Sequence, residues 1–185
     1  MKKKYLFIGI GFVLFLTVIV CCLLLIKSFN KDKQEMLENS NIISNSYDKV
    51  KSEVTEYNQM RIDIASLIDN FYYSTIANEY EQNLEKFKKY DNIVNNITNE
   101  INVIDGKCNQ IYQDKNINDI CNNYKNDYET IVNVFINDIN NYNNKLSNYN
   151  KDEEQNLELF KSSNISDYID YNNDGMYLKK DDING

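Results

Sequence analysis

The sequence contains no histidine, no proline and no tryptophan, and only five of its 185 residues are glycine. Without histidine it has no Ser-His or Cys-His dyad, no zinc-protease helix, and no side chain that ordinarily titrates near neutral pH. It also has no glycine-rich phosphate loop and no dinucleotide-binding fingerprint. Adjacent carboxylates such as Glu153 and Glu154 are, in a chain this acidic, typical of a solvated face. We therefore predict a non-enzymatic protein with no organic cofactor.

Turn-forming residues are scarce after the first thirty positions, where the glycines are Gly106, Gly175 and Gly185. A sheet of several strands needs many tight turns, so this scarcity predicts an all-α fold. Asparagine makes up about a sixth of the chain. Because it is interleaved with regularly spaced apolar residues, the bias favours folded helices over a disordered polar segment.

The start of the chain has the form of a membrane anchor. Residues 5–26 carry no charged side chain and, as a helix, are long enough to cross a hydrocarbon core of about 30 Å. The cluster from Lys2 to Lys4 precedes this run, an arrangement typical of a signal anchor whose N-terminus stays in the cytoplasm. We therefore predict a cytoplasmic segment at residues 1–4, a transmembrane helix at 5–27, and an extracytoplasmic remainder.

Two alternatives treat the same apolar run as a processed leader. A cleaved secretory signal has an apolar part of only about 7–15 residues and a small-x-small cleavage site, which this run lacks. In a lipoprotein, Cys21 or Cys22 would carry the lipid, but neither follows glycine, alanine or serine. Both alternatives are therefore less favoured than an uncleaved anchor.

The remainder of the chain is strongly acidic. Residues 34–185 carry 14 basic and 27 acidic side chains, which gives a formal net charge of −13. Such a surface repels nucleic acid and anionic lipid headgroups and attracts cations or basic partners. At about 150 residues it has room for one modest core, so we expect a single domain.

Three stretches place apolar residues alternately three and four positions apart, the spacing of helices that pack lengthwise. The first stripe is Ile43, Tyr47, Val50, Val54, Tyr57, Arg61, Ile64, Ile68 and Phe71; the second is Tyr80, Leu84, Phe87, Tyr90, Val94, Ile97, Ile101 and Ile104; the third is Ile117, Cys121, Tyr124, Tyr128, Ile131, Phe135, Ile139, Tyr142, Leu146 and Tyr149. Three stripes predict an elongated antiparallel bundle of about three long helices. We assign it to residues 28–165, with helices over roughly 34–73, 79–104 and 117–150, and leave 166–185 as a short acidic tail.

The two predicted breaks rest on different signals. Asp105-Gly106 and the polar run after it indicate a turn, since glycine readily takes the left-handed conformation that ends a helix. The earlier break, around residues 74–78, has only Asn78 and Glu81 with the chemistry of a capping box. An alternative joins the first two helices into one long rod. In both versions the first helix can continue from the membrane span, because residues 28–33 contain no strong helix breaker.

Cys108 and Cys121 flank the predicted turn at Gly106. Outside the cell they are candidates for a disulfide that closes a loop of about 14 residues. The alternative is two reduced cysteines, with Cys121 as a small core residue. A zinc site is disfavoured, because there is no histidine and no close cysteine pair outside the predicted membrane segment.

A second candidate site is a calcium loop near the end of the chain. Its ligand positions 1, 3, 5, 7 and 12 fall on Asp170, Asn172, Asp174, Met176 and Asp181, with Gly175 at position 6. This stretch resembles the short calcium loops of dockerin-type and other EF-hand-like modules, but Tyr177 stands where an aliphatic residue is usual. The resemblance implies weak calcium binding. The alternative is a solvated acidic tail in which Asn-Asp-Gly forms a turn.

Arg61 is the only arginine, and it lies on the first apolar stripe. It is interpreted as a counter-ion for Asp63 or another carboxylate, as a ligand contact, or, with most weight, as a side chain at the bundle edge whose charge reaches solvent. The fifteen tyrosines are expected to pack in the core and at its rim, and those exposed at the far end of the bundle would form a binding surface.

Residues 1–26, the helical run and the tail from Asp167 to Gly175 together resemble the anchored helical extracytoplasmic proteins of unknown function found in clostridia and related Gram-positive bacteria. The run from Asn122 to Asn164 is similar to the cell-wall-binding lipoproteins of that group, although the lipoprotein cysteine signal is not properly formed. The resemblance implies a surface location and contact with the cell wall, and it supplies no catalytic residues.

These observations favour a non-enzymatic, membrane-anchored cell-envelope protein that presents a helical bundle to a protein or cell-wall partner. The alternatives are a sensory or regulatory ectodomain that acts through a membrane partner, and a weak calcium-binding surface module. A carboxylate hydrolase would need two carboxyl groups with separated pKa values in one pocket, and the sequence gives no sign of that arrangement.

Overall fold

The computed structural model describes residues 2–109, 111, 115–162, 169–172 and 175–178, but not the side chains of residues 2–18, 22, 169–172 and 175–178. The elements are α1 (Lys2–Asp69), α2 (Tyr73–Cys108), α3 (Lys115–Asp152), β1 (Ile169–Asn172) and β2 (Gly175–Leu178). The three helices form a bundle, which confirms the predicted helical architecture.

Helices α1 and α2 run antiparallel. Lys49 on α1 pairs with Glu100 on α2 at 2.8 Å, and Glu56, further along α1, pairs with Lys89, which is earlier in α2, at 3.2 Å. Because all four side chains except Glu100 are at least half exposed, these ion pairs add little to stability. They show which residues of the two helices lie opposite each other.

Helix α3 runs antiparallel to α2 and parallel to α1. The Tyr90 hydroxyl on α2 donates to the Asp138 carboxylate on α3 at 3.1 Å, while Thr98, later in α2, shares a hydrogen bond of 2.9 Å with Tyr128, earlier in α3. From α1, the Tyr57 hydroxyl donates to the Ile131 carbonyl at 3.0 Å. Short connections between consecutive helices produce this up-down-up arrangement.

The core consists of the three predicted stripes. Each apolar residue of those stripes is buried or packs against buried residues, which confirms the helical periodicity. Met60, Ile76, Ile93, Val132 and Ile136 are also buried. Aromatic rings meet at the centre, where Phe87 lies 4.6 Å from Tyr142 and Tyr90 lies 5.0 Å from Phe135, between ring centroids. Such pairs stabilise a core by about 0.5–1.5 kcal/mol beyond the burial of their area.

The first helix runs without a break from Lys2 to Asp69, which agrees with the expected continuation through residues 28–33. It ends earlier than the predicted residue 73, at Asp69, where Asn70 donates from its amide side chain to the Ser66 carbonyl at 2.9 Å. The long-rod alternative is therefore wrong. Asn78 and Glu81 lie inside α2, which begins at Tyr73 without a side-chain cap, so the predicted capping box is wrong too.

The predicted break between the second and third helices is confirmed, because α2 ends at Cys108 and α3 begins at Lys115, but Gly106 is not the residue that ends the helix. Helix α2 continues through Gly106 to Cys108, and Gly106 does not take the left-handed conformation. A glycine within a helix costs only about 1 kcal/mol relative to alanine.

After α3 the chain reverses and runs back along the bundle. Residues 155–162, which we name the strap, have no regular secondary structure, and Glu154 before them has a left-handed φ of 52°. The two short strands follow the strap as an antiparallel hairpin with Ile169 opposite Leu178 and Asn172 opposite Gly175. Strand β2 lies against α3. Residues 166–185 were predicted as a short acidic tail. Ile169 and Tyr171 alternate with polar residues in β1, but Gly175–Leu178 shows no such alternation, so the local pattern carries little signal for the hairpin.

Candidate functional site

One surface feature of α1 has no counterpart elsewhere among the described side chains. Among the described side chains of α1, the first buried one is that of Asn39, and those from Ile19 to Glu38 are all exposed. Several of them are large and apolar: Leu23 is 60% exposed, Leu25 is 70% exposed and Phe29 is 69% exposed. We name residues 2–38 the α1 extension. At about 1.5 Å per residue it is roughly 55 Å long.

No helix segment with described side chains is both long and apolar enough to cross a membrane. The predicted span at residues 5–27 falls mainly on residues 5–18, whose side chains lie outside the described ones. The transmembrane assignment therefore stays a prediction.

The end of the bundle opposite the α1 extension, which we name the tip, is formed by residues 69–73 and 152–154. Tyr72 and Tyr73 are 60% and 40% exposed, and the Tyr73 hydroxyl donates to the Asp152 carboxylate at 3.1 Å. Asp69, Glu153 and Glu154 are exposed beside them. The tip therefore combines accessible aromatic rings with negative charge, as expected for tyrosines at the far end of the bundle.

A groove of about 580 Å³ opens beside the tip, between α1 and α2. Its lining mixes apolar, amide and charged side chains: Asp63, Ser66, Leu67, Asn70, Phe71, Tyr72, Thr75, Ile76, Glu79, Gln82, Asn83 and Lys86. This combination suits a polar partner that carries a few apolar groups.

A second groove, of about 670 Å³, lies between α1 and α3 near the other end of the bundle. Tyr47 and Tyr124 line it together with Asp48, Asp119 and Asp127. The Lys51 ammonium sits 4.5 Å from the centre of the Tyr47 ring and also pairs with Asp48 at 3.3 Å. These contacts cover one face of the ring, so this groove is less open to a stacking ligand than the tip.

The structure brings Cys108 and Cys121 together in a disulfide, with Cα atoms 5.6 Å apart. The bridge joins the end of α2 to the first turns of α3. Next to it, the Tyr124 hydroxyl donates to the Asp105 carboxylate. Burial, and then this contact, raise the pKa of Tyr124. The end of the bundle near the α1 extension is thus fixed covalently and by a side-chain hydrogen bond.

The predicted calcium ligands are divided between described and undescribed residues. Asp170 and Asn172 lie in β1 and Met176 lies in β2, whereas Asp174 and Asp181 lie outside the described residues. Within the part of the chain that the structure describes, no group of three or more cysteine or carboxylate side chains is placed to hold a metal ion. The calcium loop stays a prediction.

Arg61 contacts a carboxylate that sequence reasoning did not identify. Its Nε lies 3.7 Å from Oδ2 of Asp138, and its side chain is 51% exposed while that of Asp138 is 15% exposed. Burial raises the pKa of Asp138, whereas the hydrogen bond from Tyr90 and the charge of Arg61 lower it. Arg61 is thus a bundle-edge side chain that partly neutralises a half-buried acid on another helix. Only the fold places residues 61 and 138 together, so no local pattern could identify this pair.

Most described tyrosines act in packing. Burial raises the pKa of Tyr57 to about 12 and the pKa of Tyr142 to about 12. The Tyr142 hydroxyl is buried without a hydrogen bond of good geometry, and the nearby Asn83 side chain lowers its pKa slightly against the effect of burial. These hydroxyls therefore stay protonated near neutral pH.

Two asparagines of α3 hold the strap. The Asn143 side chain donates to the Phe160 carbonyl at 2.8 Å and accepts from the Phe160 amide at 2.9 Å. The Asn150 side chain makes the same pair of bonds to Leu157, at 2.7 and 3.1 Å. Sequence reasoning missed both residues, because they look like any other member of an asparagine-rich helix.

No protein-family model, curated protein or solved structure matches this chain. The fold and its surfaces define the class, a three-helix bundle with a long helical extension and one short two-stranded hairpin.

Proposed function

We propose that this chain is a membrane-anchored protein of the cell envelope, that its N-terminal helix crosses the bilayer, and that the bundle is presented outside the cytoplasm to a protein or cell-wall partner. The observation that carries the proposal is the α1 extension, where large apolar side chains such as Leu23, Leu25 and Phe29 are exposed on a helix that has left the bundle. Contiguous exposed apolar surface of this kind marks a membrane or protein contact.

The continuity of α1 supports presentation of the bundle at a fixed height. One unbroken helix runs from Lys2 to Asp69, so the extension and the bundle share a helix with no flexible linker between them. The tip is then the part of the bundle furthest from the bilayer. Its exposed tyrosines and carboxylates suit a partner with basic or hydroxyl-rich groups, since Tyr supplies much of the binding energy in protein interfaces.

Membrane insertion is tested with the full chain expressed in a bacterial host and fractionated. We expect it in the membrane fraction, resistant to carbonate and released by detergent. Replacement of Leu14, Phe15 and Leu16, at the centre of the predicted span, by aspartate should move it out of that fraction, because each central charge disfavours insertion by about 2.5–3.5 kcal/mol. The matched control replaces Met36 and Leu37, which are 38% and 45% exposed and lie beyond the span. An unaltered chain that needs no detergent would refute the anchor.

Orientation and partner are separate questions. Alkaline phosphatase joined to the C-terminus is active only outside the cytoplasm, so an inactive fusion would refute the proposed orientation.

For the partner, we expect crosslinking on intact cells to capture a wall polymer or protein with the native chain. Tyr72→Ala at the tip should reduce that capture, whereas Val103→Ala, at a residue 40% exposed near the opposite end of α2, should not. Equal capture by the two variants would exclude the tip.

A further inference from the structure

The strap is seated between α2 and α3, with hydrogen bonds to both helices. Beside it, strap residues 158–161 form one wall of a cavity of about 820 Å³, and Tyr80, Leu84, Lys88, Asp91 and Asn92 of α2 form the other wall. Phe160 is 6% exposed, and its ring lies 5.4 Å from that of Phe87 in the core. Leu157 also packs against the core. The strap therefore inserts two apolar anchors between α2 and α3.

The spacing of the two asparagines fits an extended chain. Asn143 and Asn150 are seven residues apart on one face of α3, which corresponds to about 10.5 Å along the helix axis. Leu157 and Phe160 are three residues apart, which corresponds to about 10 Å of extended chain. Each amide side chain thus meets the N–H and C=O of one strap residue, as a neighbouring strand would.

Two side-chain contacts from α2 complete the set. The Tyr80 hydroxyl donates to the Glu158 carbonyl at 3.0 Å, and the Ser162 hydroxyl donates to the buried carboxylate of Asp91. The contacts named here all join the strap to α2 or α3. A strap from another molecule would make the same ones.

The connection between α3 and the strap is short and strained. The strap runs antiparallel to α3, so the chain must reverse within Glu153 and Glu154, and Glu154 takes a left-handed φ of 52° to do so. This conformation is unfavourable for a residue with a β-carbon. Short hinges under strain favour exchange of the segment that follows them, because the strain disappears when the chain continues outward.

We propose that two copies of this chain exchange their straps, so that residues 155–162 of one copy occupy the α2–α3 groove of the other. The groove is already complementary to this sequence at its two apolar anchors, its two backbone clamps and Asp91, so a second copy needs no new contact. Exchange is reciprocal and closes around a two-fold axis. The hairpin after the strap moves with it. The proposal is independent of the membrane anchor.

Trapping with two cysteines tests the exchange in the full chain in detergent micelles. Both copies carry Cys21→Ser and Cys22→Ser; one carries Asp91→Cys and one tag, the other carries Ser162→Cys and a second tag. Neither copy contains both new cysteines, so a bond between positions 91 and 162 forms only between molecules. We expect a disulfide-linked dimer that carries both tags.

The control for trapping pairs Ser162→Cys with Thr130→Cys, which is exposed on α3 away from the groove. A second trapping pair, Asn92→Cys with Lys161→Cys, uses exposed positions and covers the case in which Asp91→Cys does not fold. If both groove pairs give no more mixed-tag dimer than the control, the strap stays in its own molecule and the proposal is wrong. Suppression of the dimer by an excess of a scrambled strap peptide would also refute it, because the groove would then accept unrelated chains.

Two substitutions at the hinge should act in opposite directions. Glycine tolerates the left-handed conformation, so Glu154→Gly should favour the strap in its own groove and lower the dimer fraction, roughly fivefold. Proline fixes φ near −65°, so Glu154→Pro should prevent the reversal and raise the dimer fraction. Sedimentation of the detergent complexes measures both. Equal dimer fractions for the two variants would contradict an exchange through this hinge.

Discussion

The Tyr90 hydroxyl donates a hydrogen bond to Oδ2 of Asp138 at 3.1 Å across the α2–α3 interface. Arg61 approaches the same oxygen from α1 at 3.7 Å, so one half-buried carboxylate joins all three helices. Tyr57 stacks at 5.2 Å on the Tyr90 ring and holds its position. The register of the bundle and the ionisation of Asp138 are therefore coupled.

Removal of the Tyr90 hydroxyl should destabilise the bundle. Tyr90→Phe keeps the ring but leaves Asp138 without its shortest hydrogen bond, and we expect the free energy of unfolding to fall by about 1–2 kcal/mol. Urea denaturation followed by circular dichroism at neutral pH measures this change. Tyr72→Phe is the control, since Tyr72 is 60% exposed and its loss should stay within about 0.5 kcal/mol. Equal losses would show that the hydrogen bond to Asp138 has no special weight.

The pH dependence of stability should change with Asp138→Asn. Burial raises the pKa of Asp138 above its usual 3.8, so in that range the folded state binds more protons at this site than the unfolded state. The stabilisation that comes from protonating Asp138 in the folded state is fully present below pH 3.8. It is lost as the pH rises through the pKa of Asp138 in the folded state. The asparagine variant lacks this loss, so its stability relative to the native chain should increase over that window. A relative decrease in parallel urea titrations would contradict the raised pKa.

Loss of the Cys108–Cys121 bridge should destabilise the chain by up to about 3 kcal/mol, the entropy expected for a closed loop of this size. The double substitution to serine should lower the urea midpoint, and a reducing agent should have the same effect on the native chain. Cys21→Ser provides the control, because Cys21 is exposed and free. If reduction leaves the urea midpoint unchanged, the bridge does not stabilise the folded state relative to the unfolded chain, and this prediction is wrong.

The strap should open locally when one of its clamps is removed. Asn143→Ala deletes both bonds to the Phe160 backbone and should weaken local protection by about 1–2 kcal/mol. Faster amide hydrogen exchange at Phe160 and faster chymotrypsin cleavage there are the expected readouts. Asn144→Ala, at the exposed neighbouring position, should change neither. Equal protection in the two variants would mean that packing alone holds the strap.

Calcium binding by residues 170–181 should be weak, with a dissociation constant of about 10⁻⁴–10⁻³ M, as in extracellular modules. Calorimetric titration of the full chain measures it. The double variant Asp170→Asn, Asp174→Asn removes two charges at the first and fifth ligand positions and should abolish the heat. Absence of heat from the native chain at millimolar calcium would reject the loop.

The local pattern of the sequence was sufficient for the helices and their buried faces, because apolar side chains that recur with helical spacing must face a common core. It was poorer for the helix ends. Gly106 and Asn78 have the chemistry of helix ends but lie inside α2, since burial of their neighbours outweighs a local preference of about 1 kcal/mol. The hairpin strands were missed, because strands of four residues carry little signal in a polar tail.

By itself the sequence determined an acidic, helical chain without histidine chemistry and with an uncharged run at its start, because composition and periodicity act through near neighbours. Only the tertiary structure decided which distant groups meet: Asp138 with Arg61 and Tyr90, and the strap with Asn143 and Asn150. Arg61 and Tyr90 lie far from Asp138 in the sequence, Arg61 by 77 positions. Asn143 and Phe160 lie 17 positions apart, on either side of a reversal of the chain. Helix register and the direction of each connection determine which of these residues meet, and no local pattern specifies either.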